Sequence, residues 1–277
     1  MPSLYIVATP IGNLEDITLR ALKILNEVDL IAAEDTRVTR KLLTRHKIST
    51  PLTSYHEHNK NTKTAAIIDM LTEKNIALVS DAGTPSINDP GQELVEAALK
   101  SGFHVTPIPG SSAITAAMSV SGISTNGLVY LGFLPRKKSE RRKFLGSKTY
   151  EENALLAFEV PHRLISSLSD MMDIFGNRRI TVCRELTKLH EEIFHGHISE
   201  ALKKFTTPKG EFTLVIEGCS KTSVEEEAIL TVQKKMAQEI LLQLRVQGIS
   251  SKDAIKRVVE ISQLPKRDVY RLWLETR

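Results

Sequence analysis

Short apolar runs and amphipathic stretches take turns along the first half of the chain. Leu4–Ala8, Val28–Ala33, Ile76–Ser80 and His104–Ile108 read as strands. Thr18–Asn26, Thr36–Arg45, Thr62–Glu73 and Gln92–Ser101 space their apolar residues as helices do, and Gly102 suits a helix C-cap. Pro107–Ser112 stops the last strand, and Ala113–Ser119 restarts a helix. Such alternation predicts a largely parallel sheet covered on both faces. A second unit carries strands at Leu128–Phe133, Asn153–Phe158, Arg179–Arg184 and Glu211–Glu217, with helices at Arg163–Phe175 and Ser199–Lys204. Beyond the Gly, Ser and Thr residues of 218–223 the pattern is helical: Glu225–Val246, Ser251–Ser262 (with Ser250 as its N-cap) and Lys266–Glu275. The organisation expected is an α/β domain over 1–118, a second over 119–222, and a small helical module over 223–277.

Within this pattern the segment Ser80–Gly91, SDAGTPSINDPG, stands out. It is a dense turn between a buried strand and a helix, which is where open α/β sheets bind ligands. Small residues let a ligand approach the backbone. An ordinary strand-to-helix loop is the plainer reading.

Composition narrows the class. With 41% hydrophobic and 25% charged residues over 277 positions, the chain reads as soluble and globular, of about two domains. No apolar run approaches the roughly 18 residues of a membrane span. The N-terminus enters a strand at once, so no signal peptide is expected. Cys183 and Cys219 stand alone without CxxC spacing, which points to a reducing, cytoplasmic compartment. The net charge of +4 is unevenly spread: RKKSERRK, Arg136–Lys143, carries +5, and Leu241–Arg277 another +4, so the remainder sums to −5. Two basic patches on a mildly acidic body suggest a polyanionic partner, although solvated surface would look the same.

Several chemistries are excluded. The chain has no GxGxxG, no GxxxxGK[ST] and no GxSxG. His190 and His195 lie five residues apart, about 140° around a helix, so with His197 they make no zincin site, and no metal is expected.

Nine segments in order resemble one known family: Val7–Leu14, Ala33–Arg37, Ser54–Asn59, Ser80–Gly91, Pro109–Ala113, Gly132–Arg136, Phe158–Arg163, Cys183–Glu192 and Gly210–Gly218. The chain is similar to the tetrapyrrole methylase superfamily and, within it, to the ribosomal RNA small subunit methyltransferase I family. The resemblance covers about residues 1–220, and the C-terminal helices resemble that family's helix-turn-helix-like module. It implies two α/β domains with S-adenosylmethionine (SAM) in a cleft between them, usually as a homodimer. It also implies methylation of a cytidine ribose 2′-oxygen in the decoding region of 16S rRNA. Basic patches suit RNA phosphates.

The same resemblance places cofactor contacts at Ile11, Gly12, Ala82, Gly83, Thr84, Ile87, Ser112 and Ala113. It adds Phe158 or Glu159, and Leu186 or Thr187, where spacing drifts. Gly91 is read as a turn glycine instead. Thr84 stands where many tetrapyrrole-specific relatives carry Asp, and Thr9-Pro10-Ile11-Gly12 replaces a glycine-richer turn. Both departures match the ribosomal branch. For the acceptor proton the candidates are Glu34, Asp35, Glu159 and Glu185, with Asp35 first because a strand end running into a helix would aim it at the cleft. Lys188, Arg37, Arg163 and Arg184 are candidates to bind phosphate or polarise the hydroxyl. Arg136, Lys137, Lys138, Arg141, Arg142 and Lys143 are expected to form an RNA-contact loop. The tail helices are expected to contact RNA or to support a dimer. The alternatives are a SAM methylase of a tetrapyrrole or other small molecule, and an RNA-binding assembly protein without activity.

Overall fold

The computed structural model of the chain describes residues 2–124 and 126–275, with residues 221–231 described by their backbone alone. Two compact units result: Met1–Thr149 with Asn153–Glu217, and Tyr150–Glu152 with Gly218–Arg277.

The first unit opens with β1 (Ser3–Val7), α1 (Leu19–Glu27), β2 (Leu30–Ala33), α2 (Thr36–Arg45) and β3 (Leu52–Ser54). It continues through α3 (Lys60–Met70), β4 (Ile76–Val79), α4 (Gln92–Lys100), β5 (His104–Ile108) and α5 (Ala113–Ser121). The five strands form one parallel sheet in the order β3-β2-β4-β1-β5. Its centre is apolar on both faces: all four residues of β4 are buried, as a strand covered on both sides requires. One face packs Val7, Ile31, Ala77 and Val79 on α1 and α2 residues such as Leu25 and Leu43; the other packs Leu4, Leu78 and Ile76 with Ile67 and Leu94. The helices start where local chemistry starts them. Thr18 accepts from the Ala21 amide at 3.1 Å, and Asp35 from the Arg37 amide at 2.8 Å.

A second, mixed sheet follows: β6 (Leu128–Phe133), α6 (Lys138–Gly146), β7 (Ala154–Glu159), α7 (Pro161–Phe175), β8 (Arg179–Arg184), β9 (Glu192–His197), α8 (Ile198–Lys204) and β10 (Phe212–Ile216). The order is β6-β7-β10-β8-β9, parallel between β6 and β7 and antiparallel elsewhere. Helices α6, α7 and α8 cover one face through Leu145, Leu164, Leu168, Met171 and Ala201. Helix α5 is assigned to the opposite face. It leaves the first sheet after β5 and buries Ala117 against Leu156, Cys183 and Val215 of the second. The Thr181 hydroxyl also donates to the Ser121 carbonyl at 2.9 Å. Helix α5 runs through residue 118, where the sequence suggests a border.

The second unit comprises α9 (Lys221–Val246), α10 (Ser251–Ser262) and α11 (Lys266–Glu275). They close on their own core of Ala237, Leu241, Ala254, Val258 and Val269. Ser250 caps α10 by accepting from the Asp253 amide.

Two strands go unmarked in the sequence pattern, and one sequence expectation is corrected. The segment 190–195 is no helix: Glu192–His197 is the edge strand β9, with Ile193 and Phe194 on opposite sides of the sheet and His195 Nδ1 3.1 Å from the Thr181 hydroxyl. Leu52–Ser54 is a three-residue edge strand, too short to show as a pattern. The basic run is not a loop. From Lys138 onward it is α6, and Arg141 is buried, its guanidinium 2.6 Å from Asp170. Arg142 binds Asp170 at 3.0 Å and Asp173 at 2.7 Å, and Lys137 binds Glu140 at 3.1 Å. Arg141 thus has no face to offer a phosphate, and three of the run's six cations, Lys137, Arg141 and Arg142, are held in ion pairs.

Removing one partner of a buried ion pair leaves the other charge stranded. Asp170→Ala is expected to destabilise the protein by about 3 kcal/mol in chemical denaturation, and Asp173→Ala, at the exposed end, by under about 1 kcal/mol. Equal losses would contradict the structural role given to Arg141.

Candidate functional site

Every loop at the carboxyl ends of β1, β2, β4 and β5 contributes to one cavity of about 680 Å³, closed on its far side by the ends of β6, β7 and β8 and the start of β10. From the first sheet come Ile11, Glu34, Asp81–Thr84, Ile87–Asp89 and Ser112–Thr115; from the second come Phe133, Phe158–Val160, Cys183, Leu186 and Glu211–Thr213. Carboxyl ends of parallel strands are where ligand crevices form in open α/β sheets.

The loops are stitched before any ligand arrives. Thr9 and Gly83 exchange backbone hydrogen bonds at 2.9 and 3.0 Å, and the Thr9 hydroxyl donates to the Ser80 carbonyl at 3.0 Å. Gly83 therefore spends its N–H on Thr9; its φ of +78° is the reason a glycine stands there. Gly91, at φ +149°, is a packing turn: a Cβ there would meet Ser86 Oγ at 2.5 Å and Leu78 Cδ2 at 2.8 Å. Asn88 reaches across to donate to the Tyr130 hydroxyl, against a bulge in β6 at Gly132. Phe158 stands edge-on to both Tyr130 and Phe133.

Helix α5 presents its N-terminus to the cavity through Ser112, Ala113, Ile114 and Thr115. The first intrahelical bond is made by the Ala116 amide to the Ser112 carbonyl. The three preceding amides have no partner within the helix, and Ser112 makes no side-chain cap. Free N–H groups and the helix dipole favour an anionic group at this spot.

Opposite in character is a group of carboxylates from Glu34, Asp81 and Asp89. Burial raises all three from their ordinary values, and neighbouring carboxylates add to it: Asp81 at Glu34, Asp35 at Asp81, and Glu34 with Asp81 at Asp89. Asp89 is pushed up to about 6, by burial first and by Glu34 second. Burial also lifts the Tyr130 phenol to about 12 and the Cys183 thiol to about 11.

Of the residues expected to hold a cofactor, Ile11, Ala82, Gly83, Thr84, Ile87, Ser112, Ala113 and Phe158 line the cavity. Gly12 and Thr187 do not. They pack on each other beside it, where a Cβ on Gly12 would meet Thr187 Oγ1 at 2.8 Å and Lys188 Cγ at 2.5 Å, and the Thr187 hydroxyl accepts from the Asn13 amide at 3.1 Å. Leu186, the alternative to Thr187, is in the lining.

The expected acids separate in the same way. Glu34 and Glu159 line the cavity, but the Glu159 carboxylate is consumed: Arg163 lies 2.6 Å away, Ser167 donates at 2.5 Å and the Val160 amide at 2.9 Å. Asp35 does not line the cavity. It caps α2 and binds Arg37 at 2.6 Å, and that guanidinium holds its carboxyl down at about 2. Glu185 accepts from Lys188 and from the Glu211 amide, both at 2.9 Å, and lies below the usual range for that reason, while Lys188 bridges to Glu211 as well. Both fasten the β8 and β10 loops together. Arg163 is mostly buried, donating to the Leu134 carbonyl at 3.0 Å, and Arg184 is held by Lys209 and Glu192. Sequence reasoning missed Asp81, Asn88 and Asp89, although all lie in the segment Ser80–Gly91 that it singled out. Among the described residues no group of three His, Cys, Asp or Glu is placed to hold a metal, and no helix is long and apolar enough to cross a membrane.

The family model of the Tetrapyrrole (Corrin/Porphyrin) Methylases matches residues 3–202. A protein of Halalkalibacterium halodurans called ribosomal RNA small subunit methyltransferase I is 47% identical over 98% of this chain and 94% of its own length. Its namesake in Bacillus subtilis is 45% identical over 98% and 93%. Among solved structures, uroporphyrin-III C-methyl transferase from Thermus thermophilus complexed with S-adenyl homocysteine superposes with a TM-score of 0.56 at 16% identity, covering 78% of this chain and 97% of that one. Putative diphthine synthase from Entamoeba histolytica gives 0.57 at 14%, covering 81% and 96%. At such identities the structures speak for the fold, whereas the two bacterial relatives extend over nearly the whole chain. The chain thus belongs to the tetrapyrrole methylase family and, within it, to the ribosomal RNA small subunit methyltransferase I family.

Proposed function

We propose that the chain binds SAM in the cavity described above and transfers its methyl group to a ribose 2′-oxygen of a cytidine in 16S rRNA. The observation that carries this reading is one cavity, sized within the roughly 300–1,000 Å³ of cofactor sites, with an anion-seeking helix end and a carboxylate cluster on its walls. SAM carries a carboxylate and a cationic sulfonium, so both features fit it. The amides of Ala113–Thr115 with Ser112 would hold the carboxylate. Glu34, Asp81 and Asp89 would face the positive charge. Ile11, Ile87, Ile114 and Leu186 offer apolar walls for the flat base. When bound, SAM supplies a methyl already activated for displacement.

What the chain must add is orientation and a place for the hydroxyl proton. Asp89 suits that task. Its proton equilibrium near 6 leaves it ionised, yet basic, at neutral pH, whereas Asp35 at about 2 is too weak a base and already committed to Arg37. The rRNA substrate is supported by the names of the full-length relatives. Thr84 and Thr9–Gly12 match the ribosomal branch rather than a tetrapyrrole-specific one, and the cytidine 2′-oxygen is what the family resemblance implies. A homodimer, a cytoplasmic location and the assembled small subunit as substrate belong to the same proposal.

Three measurements test it. Mass mapping of 16S rRNA from a strain lacking the gene is expected to find one ribose methyl lost and restored by the purified protein with SAM; an unchanged methyl map would refute the substrate. Asp89→Asn should lower kcat at least tenfold and leave S-adenosylhomocysteine affinity by calorimetry within threefold. Wild-type kcat in that variant would remove Asp89 from the chemistry. The third is a stability test with a definite sign. A carboxyl raised from 3.8 to about 6 gives stability that is present below 3.8 and lost as pH rises through 6. Asp89→Asn should therefore raise Tm at pH 7.5 and do so much less at pH 4.5, by an amount on the order of 1 kcal/mol at most for a half-buried group. A lower Tm at pH 7.5 would contradict the assigned burial cost.

A further inference from the structure

In the conspicuous basic run at 136–143, Lys137, Arg141 and Arg142 are ion-paired within the fold. A helix that drew no notice as a charge run carries three cations without such partners among the described residues. Helix α2 buries Thr39, Leu42 and Leu43 and exposes Arg37, Arg40, Lys41, Thr44 and Arg45. At 100° per residue these five polar positions fall within an arc of about 140°, with exposed Val38 at its edge, on a single face about 12 Å long. Arg37 is tied to Asp35, but Arg40, Lys41 and Arg45 have no ion pair among the described residues. A hollow of about 570 Å³ runs along the face, lined by Thr36, Arg37, Arg40, Lys41, Thr44 and Arg45.

Its position matters as much as its charge. The helix begins two residues after Glu34, which lines the cavity. Its other end opens on a second hollow of about 720 Å³, where Arg45 and His46 face Gly12, Thr187 and Lys188. Gly12 and Thr187 follow directly on Ile11 and Leu186 of the cavity wall. A strand of phosphates laid along α2 is thereby led past the mouth of the cavity at both ends. Guanidinium and ammonium groups at helical spacing, flanked by Thr hydroxyls, are donors suited to a phosphodiester backbone and read no sequence.

We propose that the exposed face of α2 is the RNA-docking surface, holding the phosphates that flank the acceptor nucleotide through Arg40, Lys41 and Arg45. This rests on the reading of the chain as an rRNA methyltransferase. It adds, beside the run that the sequence advertises, a contact face that the sequence does not.

The test compares the wild-type protein, the triple variant Arg40→Gln, Lys41→Gln, Arg45→Gln, and a charge-matched triple variant Lys23→Gln, Lys74→Gln, Lys203→Gln with its losses elsewhere on the exposed surface. Affinity for a fluorescein-labelled single-stranded oligoribonucleotide is read by anisotropy across a salt series. The slope of log K against log salt is expected to flatten by about 2 in the α2 variant, from about 0.7 per lost phosphate contact, with affinity reduced at least roughly tenfold at 0.15 M salt. The charge-matched variant should keep the wild-type slope. For small ribosomal subunits lacking the methyl, KM should rise in the α2 variant with kcat retained at saturation. S-adenosylhomocysteine affinity and Tm verify that the cavity and fold survive. A slope and KM equal to wild type in the α2 variant overturn the proposal while leaving the rRNA reading intact. Sedimentation showing that the α2 variant loses self-association at an unchanged RNA slope would assign the face to a second copy of the chain, and also overturn it. Wild-type protein that binds S-adenosylhomocysteine but neither RNA nor subunits would sink the substrate reading itself, and this proposal with it.

Discussion

The packing of α5 on the second sheet is the contact on which the site depends. The helix grows out of the last strand of the parallel sheet but buries its small-residue side, Ala117 above all, against β7, β8 and β10. Small side chains permit that close approach. A bulkier residue at a position with no exposed surface would have to push the two sheets apart. One packing event therefore does two things. It fixes the parallel sheet's carboxyl ends opposite the ends of β6, β7 and β8. It also holds the helix with its N-terminal amides opening into the space between them.

Around that joint the loops are held by contacts that leave functional groups free. The Thr9–Gly83 exchange, the Gly12–Thr187 interlock and the Asn88–Tyr130 contact each tie one sheet's loops to a neighbour. Glu159, Glu185, Lys188 and Arg163, which look catalytic in a string of letters, do mechanical work of this kind. What remains is informative. The α5 amides lack helical partners, and Glu34, Asp81 and Asp89 sit together at the cavity wall. Although the Asp81 amide donates to Glu34 at 3.3 Å and the Asp35 amide to Asp81 at 2.9 Å, all three carboxyls are raised from their ordinary values. Such a concentration of shifted carboxylates marks ligand sites more often than structural ones.

Much of the fold was legible because burial on both faces of a parallel sheet demands unbroken apolar runs, as in Ile76–Val79, and because helix starts such as Thr18 and Ser250 carry their caps in sequence. Two of the four edge strands escaped. β5 and β6 carry readable apolar runs, but Leu52–Ser54 is only three residues long, and Glu192–His197 is interrupted by Glu192, His195 and His197. The site was half legible for a related reason. The small-residue loops could be named from their composition and family resemblance. The state of each charged group could not, since it is set by partners distant in sequence: Arg141 by Asp170, Asp35 by its own helix start, and Asp89 by burial beside Glu34. A charge run likewise shows how many charges are present, not how many the fold cancels.

The central claim is that this cavity is the cofactor site, and amide hydrogen exchange with and without S-adenosylhomocysteine tests it most directly. The account predicts added protection in three separated segments, 80–91, 111–116 and 158–160, with β3, α3 and α4 unchanged. Protection confined to other segments, or none at saturating ligand, would contradict it.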